Sequence, residues 1–458
     1  MLSGDSGHRT AFQPPAHTWV NEGVAKLLSE KNVVVTTYNY ILNSFMRSSL
    51  LRRMNARQEN VILIIDEAHN LHRFSLHPES QTISIELLKK AGEEAKTIDE
   101  ELSFSLINLY EALKEKELKS DEEILPREMF EVIDFSKCFH YGSTIQEEKL
   151  IKGETPLSYL LSIADFIELC YKKDTMISIN VDRYLEAIEL KRIEIFNKVF
   201  ASVSMSGTIK PFECYMRIVG LPEDKTIAIE TPYPFPKENF KVMLINDVST
   251  KFTERNEVLY QKIYKIINSA WRIEGGILVA FPSYELLEDF DKFIKSKNHK
   301  FDAETFIEKR WMSSIEINNI YHQFIEKALN DKALLLCVAG GRLAEGVDYV
   351  ANVVKVVIVI GIPYPKPSEK IIELLKYYEK LFDKKGRLYG YIIPALWTSL
   401  QASGRGIRSE HDTCLLIFAD KRYEKLRKLL PTWISENIQK ISIEKLEDAV
   451  DNSLSMLY

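Results

Sequence analysis

The chain has 458 residues, 45% of them hydrophobic and 28% charged, and carries a formal net charge of −6 at pH 7. That length and apolar content allow two to four domains with sizeable cores. No apolar run approaches the roughly 20 residues of a membrane-crossing helix, and the N-terminal MLSGDSGHRTAFQPP lacks the basic-then-apolar layout of a signal peptide, so the sequence predicts a soluble, cytoplasmic protein with no membrane partner. The net charge supplies no global attraction to nucleic acid; any such contact must come from local basic patches. Cys138, Cys170, Cys214, Cys337 and Cys414 lie at least 32 positions apart, without metal-ligand spacing, and are expected to be small buried apolar residues in a reducing compartment.

In chain order, residues 1–20 are an irregular lead-in containing Pro14 and Pro15. Gly4 to Thr10, GDSGHRT, fails as a phosphate-binding loop on spacing, on the missing lysine and on the absent preceding strand. A short helix is expected over Glu22 to Leu28, then a buried strand at 32–37, NVVVTT, whose end carries Thr36 and Tyr38. Those two are ordinary turn residues or contacts to a nucleic-acid strand. Met46 to Arg57 holds Arg47, Arg52, Arg53 and Arg57 without an acid, which suits a solvated helix face as well as a phosphate-binding one.

Val61 to Asn70, VILIIDEAHN, organises the rest. Five consecutive apolar residues without alternation predict a strand buried on both faces of a parallel α/β sheet, and Asp66 and Glu67 stand at its carboxyl end, where such sheets bind ligands. From about Glu86 to Ile195 the chain turns helical, with Leu102, Leu106, Leu109 and Leu113 as an apolar stripe, and is expected to be an insertion. Residues 198–208, KVFASVSMSGT, then return to the first sheet. Three prolines within TPYPFPKENF, 231–240, predict an interdomain linker. Beyond it, strand-like runs at 242–247, 275–283, 333–339, 353–361 and 413–420 alternate with helical stretches and predict a complete second α/β lobe.

Three further stretches carry chemistry. In GGRLAEGVDY, 340–349, glycines including Gly346 permit close backbone approach to a phosphate, and Glu345 and Asp348 can pair with arginines; a plain strand-to-helix turn explains the same residues. In QASGRGIR, 401–408, Arg405 and Arg408 stand three apart, so on a helix both guanidinium groups point one way and suit a phosphate. FPSY, 281–284, ends a strand with an aromatic pair that either packs or stacks on bases.

Taken together, DEAH at 66–69, SGT at 206–208, FPSY at 281–284, GRLAEGVD at 341–348 and QASGRGIR at 401–408 resemble, in order and approximate spacing, the motifs of superfamily 2 helicases of the XPD/DinG branch. The resemblance spans about residues 30 to 425. It implies two RecA-like parallel-sheet lobes, the first (1–85 and 196–230) incomplete, a helical arch-like insertion (86–195), and a second lobe (231–458). It also implies ATP hydrolysis in the cleft between lobes, driving 5′-to-3′ movement along single-stranded DNA. In that scheme Asp66 holds Mg²⁺ through water and Glu67 orients and deprotonates the attacking water. Arg405 and Arg408 act as arginine fingers on the γ-phosphate, with Gln401 helping to close the cleft and Gly346 and Asp348 on the nucleotide side. His69, Ser206, Gly207 and Thr208 couple ATP state to lobe position, and Thr36, Tyr38, Ser283 and Tyr284 contact DNA.

Departures from the pattern shape the expectation. Residues 1–65 contain no cysteine and no GKT or GKS, so neither the lysine-bearing phosphate loop nor an iron–sulfur cluster is expected in this chain. A first-lobe sheet of only 32–37, 61–67 and 200–207 should expose apolar edge and face. The sequence thus predicts a truncated or split helicase with impaired ATPase on its own, completed by an upstream polypeptide that supplies the phosphate loop. The alternatives are a non-catalytic DNA-binding or scaffold paralogue and, third, a DEAH-box RNA helicase.

Overall fold

The structure is a computed structural model and describes residues 27–72, 80–190, 195–301, 304–349 and 352–457. GDSGHRT and most of the helix expected over Glu22 to Leu28 lie outside the described residues. The chain divides into two compact units, one comprising Met1–Ser206 and Val219–Asp224, the other Gly207–Ile218 and Lys225–Tyr458. The stretch 207–230, expected to belong wholly with the first lobe, is thus shared between them.

In the first unit β1 (Ile62–Ile65) pairs in parallel with β6 (Ala201–Ser204), and among the described residues this sheet has two strands. The expected third strand is not formed: among the described residues 33–37 joins no sheet, and Val33 and Val35 are exposed to solvent. Propensity for extended backbone does not make a strand without a neighbour to accept its hydrogen bonds. The expectation that β1 is buried on both faces is corrected for the same reason. Leu63 and Ile65 are buried, whereas Ile62 is 58% and Ile64 71% exposed, and Val203 of β6 opens to the same solvent.

The insertion is not purely helical. Four antiparallel strands, β2 (Ser80–Ser84), β3 (Glu122–Leu125), β4 (Thr175–Asn180) and β5 (Tyr184–Glu189), form a sheet in the order β2-β5-β4-β3. Their segments are short and polar on one face, as in β5 where Leu185 and Ala187 are buried while Tyr184 is exposed, so composition alone reads as helix and loop. The helices Ile85–Ala95, Glu100–Glu115, Phe135–Ile151 and Tyr159–Tyr171 close over that apolar face. The stripe Leu102, Leu106, Leu109 and Leu113 is buried throughout, and Asp99 caps its helix by accepting from Leu102 N at 2.9 Å.

The second unit is built on a parallel sheet of seven strands among the described residues, ordered β13-β7-β12-β11-β8-β10-β9. The five expected strands form: β7 (Phe240–Ile245), β8 (Gly276–Phe281), β10 (Ala333–Val338), β11 (Val354–Ile360) and β12 (Cys414–Ala419). The edge strands β9 (Glu304–Ile307) and β13 (Ile438–Ile441) are too short to stand out in the sequence. Alternate residues go to opposite faces. Leu278, Leu335, Val357 and Leu416 pack with Leu396, Leu400 and Phe324 of the helices Ile393–Ser403 and Ser314–Asn330, whereas Ile277, Leu334, Ile358 and Ile417 meet Ile263, Ile267 and Phe290 of the helices Glu257–Ser269 and Tyr284–Ser296. All five cysteines are free and buried, and burial pushes the Cys138 thiol up to about 12. Among the described residues no helix is long and apolar enough to cross a membrane.

Candidate nucleotide and nucleic-acid sites

The acidic pair follows β1 directly, and the backbone turns sharply there: Glu67 takes φ 46°, a left-handed conformation that costs a residue with a Cβ on the order of 1 kcal/mol. Three contacts hold the turn. Ala68 N donates to Met205 O at 2.9 Å, Glu67 N donates to Asp66 Oδ1 at 2.9 Å, and the Tyr38 hydroxyl donates to Asp66 O at 2.5 Å while lying 3.1 Å from Glu67 O. Burial first, then the charges of Glu67 and Asp66, push the Tyr38 phenol upward and keep it a donor. Tyr38, expected beside DNA, braces the acidic turn through its hydroxyl, and Thr36 is exposed before it.

Both carboxylates face solvent, and His69 is buried behind them with Nδ1 2.9 Å from Ser206 Oγ and 3.3 Å from Glu67 Oε2. The histidine thus links the acidic turn to the end of β6. Two residues on, Thr208 accepts a hydrogen bond from Gln401 Nε2 within the second unit. Ser206 and Thr208 are anchored in different units with Gly207 between them, and a Cβ added at Gly207 would meet nothing within 4 Å. Trp397 Nε1 donates to Lys210 O at 2.8 Å and fastens the following residues to the helix Ile393–Ser403.

That helix ends at Ser403, which corrects the expectation that Arg405 and Arg408 share a helix face. A glycine at 404 and another at 406 take the chain out of helix, and Gly406 is required because a Cβ would press on Cys414 Sγ at 2.2 Å. The guanidinium groups converge all the same. Arg408 Nη2 lies 2.9 Å and Arg405 Nη1 3.6 Å from Asp348 Oδ1. Arg405 is only 7% exposed, and it donates to Val347 O at 2.6 Å and Glu345 O at 2.7 Å. Burial, then the neighbouring Arg408, lower its pKa, and its Nε has no partner among the described residues. Arg405 clamps the 340–349 turn, whereas the half-exposed Arg408 is the more available cation.

The turn itself follows β10. Gly340 has φ 83°, and a Cβ on Gly341 would meet both Glu308 carboxylate oxygens at 2.7 Å. Glu308 directly follows β9, is fully buried, and accepts from Tyr284 Oη at 2.9 Å, Val338 N at 3.2 Å and Arg342 N at 3.2 Å. Its pKa is raised, burial outweighing those bonds. Sequence reasoning misses Glu308 because ETFI is too short a run to mark a strand end. Ser283 and Tyr284, expected at DNA, have structural partners: Ser283 caps its helix by accepting from Leu286 N at 3.3 Å, and Tyr284 holds Glu308. Gly346 closes the short helix Arg342–Glu345, and Asp348 is 75% exposed apart from its arginine contacts.

Among the described residues no group of three or more His, Cys, Asp or Glu gathers as a metal cage. Magnesium bound to nucleotide needs none, since one carboxylate, waters and phosphate oxygens complete its octahedron, and the solvent-facing Asp66 fits that demand. The lysine-bearing loop that would cradle the phosphates has no counterpart in residues 1–65.

Residues 23–88 match the DEAD_2 family, residues 93–254 the Helical and beta-bridge domain family, and residues 266–437 the Helicase C-terminal domain family. Over 420 residues the chain is 24% identical to the ATP-dependent DNA helicase XPD of Sulfolobus acidocaldarius, covering 87% of this chain and 71% of that protein. It is 24% identical to the ATP-dependent DNA helicase CHL1 of Saccharomyces cerevisiae, covering 89% of this chain and 55% of the relative. The General transcription and DNA repair factor IIH helicase subunit XPD/RAD3 of the same yeast is 21% identical, with 95% of this chain and 68% of that protein covered. In fold the chain is similar to a solved XPD helicase, with TM-score 0.62 and 22% identity over 92% of this chain and 75% of that one. It is likewise similar to S. tokodaii Xpd4, with TM-score 0.61 and 19% identity over 93% and 89%.

Proposed function

Because the chain belongs to the XPD/DinG-like branch of superfamily 2 DNA helicases, an enzyme family, we propose that it serves ATP-driven 5′-to-3′ movement on single-stranded DNA in repair, in a cytoplasmic setting to which five free buried cysteines are suited. The observation that carries this reading is the Ser206-Gly207-Thr208 tether. One end is bonded to the histidine of the acidic turn and the other to Gln401 of the arginine segment.

ATP supplies the phosphoryl bond whose hydrolysis drives movement, and Mg²⁺ offsets phosphate charge. Asp66 is the residue to hold that ion through water. Glu67, solvent-facing and held by the strained turn, orients and takes a proton from water, and His69 sits behind it to report its position to Ser206. Arg408 offers charge to the terminal phosphate, while Arg405 fixes Asp348 and the turn through Gly346 that carries it. Lobe boundaries near residues 85, 195 and 230 follow from the same reading. We propose that the lysine-bearing loop, which residues 1–65 do not contain, is supplied by a further polypeptide segment.

The test is DNA-stimulated ATP hydrolysis together with anisotropy of a labelled single strand. Expected are single-stranded DNA binding by the chain, slow turnover alone, and faster turnover with a GKT-bearing segment added, abolished by Glu67→Gln. Robust turnover by the chain alone, abolished in Glu67→Gln, would overturn the need for a second segment. Affinity for DNA that ignores nucleotide even in the completed assembly would favour the scaffold reading.

A further inference from the structure

At the carboxyl edge of the seven-stranded sheet, the turn after β9 presents an indole to solvent. Trp311 is 84% exposed, which for the most costly side chain to leave in water calls for an explanation. The turn is not loose. Met312 N donates to Lys309 O at 3.4 Å, so Arg310 and Trp311 are the two central residues of a tight turn, and Lys309 N faces Met312 Sδ at 3.4 Å. Each flank is fixed. Met312 packs against the sheet core, Arg342 donates to its carbonyl, and Ser313 with Glu316 forms a capping box that starts the next helix. Upstream, Glu308 is buried beneath Tyr284 and the β10 turn.

The surroundings are basic and aromatic. The Arg310 guanidinium lies over the Tyr284 ring at 5.7 Å from its centroid, Lys309 is exposed beside it, and Arg342 lies across the turn. Of the acids beside them, Glu316 is occupied by its bonds to Ser313, and Glu308 is buried and bonded to Tyr284 and to the β10 turn. In a chain of net charge −6 this is a local cationic patch with an aromatic plate at its tip. It lies over the ends of the adjacent strands β8, β10 and β9, the edge where parallel α/β sheets take their ligands.

We infer that Trp311 is a base-stacking platform for single-stranded nucleic acid, with Lys309 and Arg310 on the phosphates either side. Stacking on an indole tolerates any base, and neighbouring cations follow the backbone, which is the combination sequence-independent strand binding needs. An indole carried on a backbone turn held at both flanks leaves only its own side-chain rotamers to be ordered on binding. The assignment rests on the DNA reading of the preceding subsection and adds a residue that none of the helicase-like motifs contains.

The experiment measures anisotropy of a fluorescein-labelled oligo-dT with the full chain, without nucleotide, over a series of salt concentrations. Expected is affinity reduced roughly 5- to 100-fold in Trp311→Ala, near-normal affinity in Trp311→Phe, and an unchanged melting temperature in both. Trp311→Ala should leave the slope of log affinity against log salt as it is, whereas Lys309→Ala with Arg310→Ala should flatten it by about 0.7 for each phosphate that no longer meets a cation. Wild-type affinity in Trp311→Ala overturns the inference while the DNA reading stands. If that variant instead loses self-association by sedimentation with DNA affinity intact, the indole is a protein contact and the inference is equally overturned. Absence of binding by the unsubstituted chain overturns the DNA reading and this assignment together.

Discussion

Two parallel sheets in this molecule begin from the same kind of sequence and end in different environments. VILII in β1 and ALLLCV in β10 are both unbroken apolar runs, yet every residue of β10 is buried while β1 alternates between buried and exposed. β10 has strands on both sides and helices on both faces; among the described residues β1 has β6 alone. An apolar run therefore encodes the demand for burial on two faces, and the rest of the fold decides whether the demand is met.

The sharpest way to probe the well-covered sheet is at its most committed charge. Asp420 directly follows β12, is fully buried, and accepts from Thr250 N at 2.9 Å, Thr250 Oγ1 at 3.0 Å and Arg422 Nη2 at 2.7 Å. Arg422→Ala leaves that carboxylate without its counter-charge and should cost the second unit about 3–5 kcal/mol in urea denaturation. A cost near zero would mean that water reaches Asp420 and that this sheet edge is no better covered than β1.

A matched pair of truncations tests the comparison directly. Leu335→Ala in β10 should cost about 2–5 kcal/mol, as a cavity opens among Leu278, Phe324 and Val357. Ile64→Ala in β1, on an exposed side chain, should change stability by no more than about 0.5 kcal/mol. If Ile64→Ala costs as much as Leu335→Ala, another polypeptide surface covers β1 in solution.

These contrasts also mark what the sequence makes legible. The five long strands of the second lobe are plain because a run such as VVKVVIVIG needs only local pattern to be seen, and the acid pair, the SGT tail and the arginine segment are recognisable because chemistry restricts their residue types. The insertion's sheet stays hidden because its strands satisfy one face with short polar-alternating segments. The stretch 32–37 reads as a strand and does not form one, because pairing is a property of neighbours, not of Val33 and Val35. The spacing of Arg405 and Arg408 suggests a helix that Gly404 and Gly406 end, and their convergence on Asp348 depends on a partner 57 or more residues away in sequence.

Glu308 offers a smaller effect with a definite pH sign. Gln in its place sets an amide N–H₂ against the backbone N–H of Val338 or Arg342, which should cost about 1–3 kcal/mol. Burial raises the folded-state pKa of Glu308 above the ordinary 4.5, so the folded protein holds that proton more tightly than the unfolded chain. Its contribution is therefore most favourable below pH 4.5 and is lost as pH rises through the folded pKa. Melting curves of wild type and Glu308→Gln should converge as pH is raised from 4.5 towards neutrality; a gap that widens over that range contradicts the assignment.

The least costly change bears on the poorly covered sheet. Tyr38→Phe removes one hydroxyl, the one 2.5 Å from Asp66 O, and leaves the ring in place. A single bond of this kind at a partly exposed site is worth about 0.5–1.5 kcal/mol, too little to unfold the unit. The turn is also held by Ala68 N on Met205 O and Glu67 N on Asp66 Oδ1, and Glu67 is already strained at φ 46°. The effect should therefore appear locally, as a roughly 2- to 12-fold faster amide exchange at Ala68, whose N–H bonds Met205 O, with the amides of β10 unchanged. Equal acceleration in both sheets would show the bond acting on global stability. No change at Ala68 would show that the β6 contact holds the turn unaided, and the brace assigned to Tyr38 would be withdrawn.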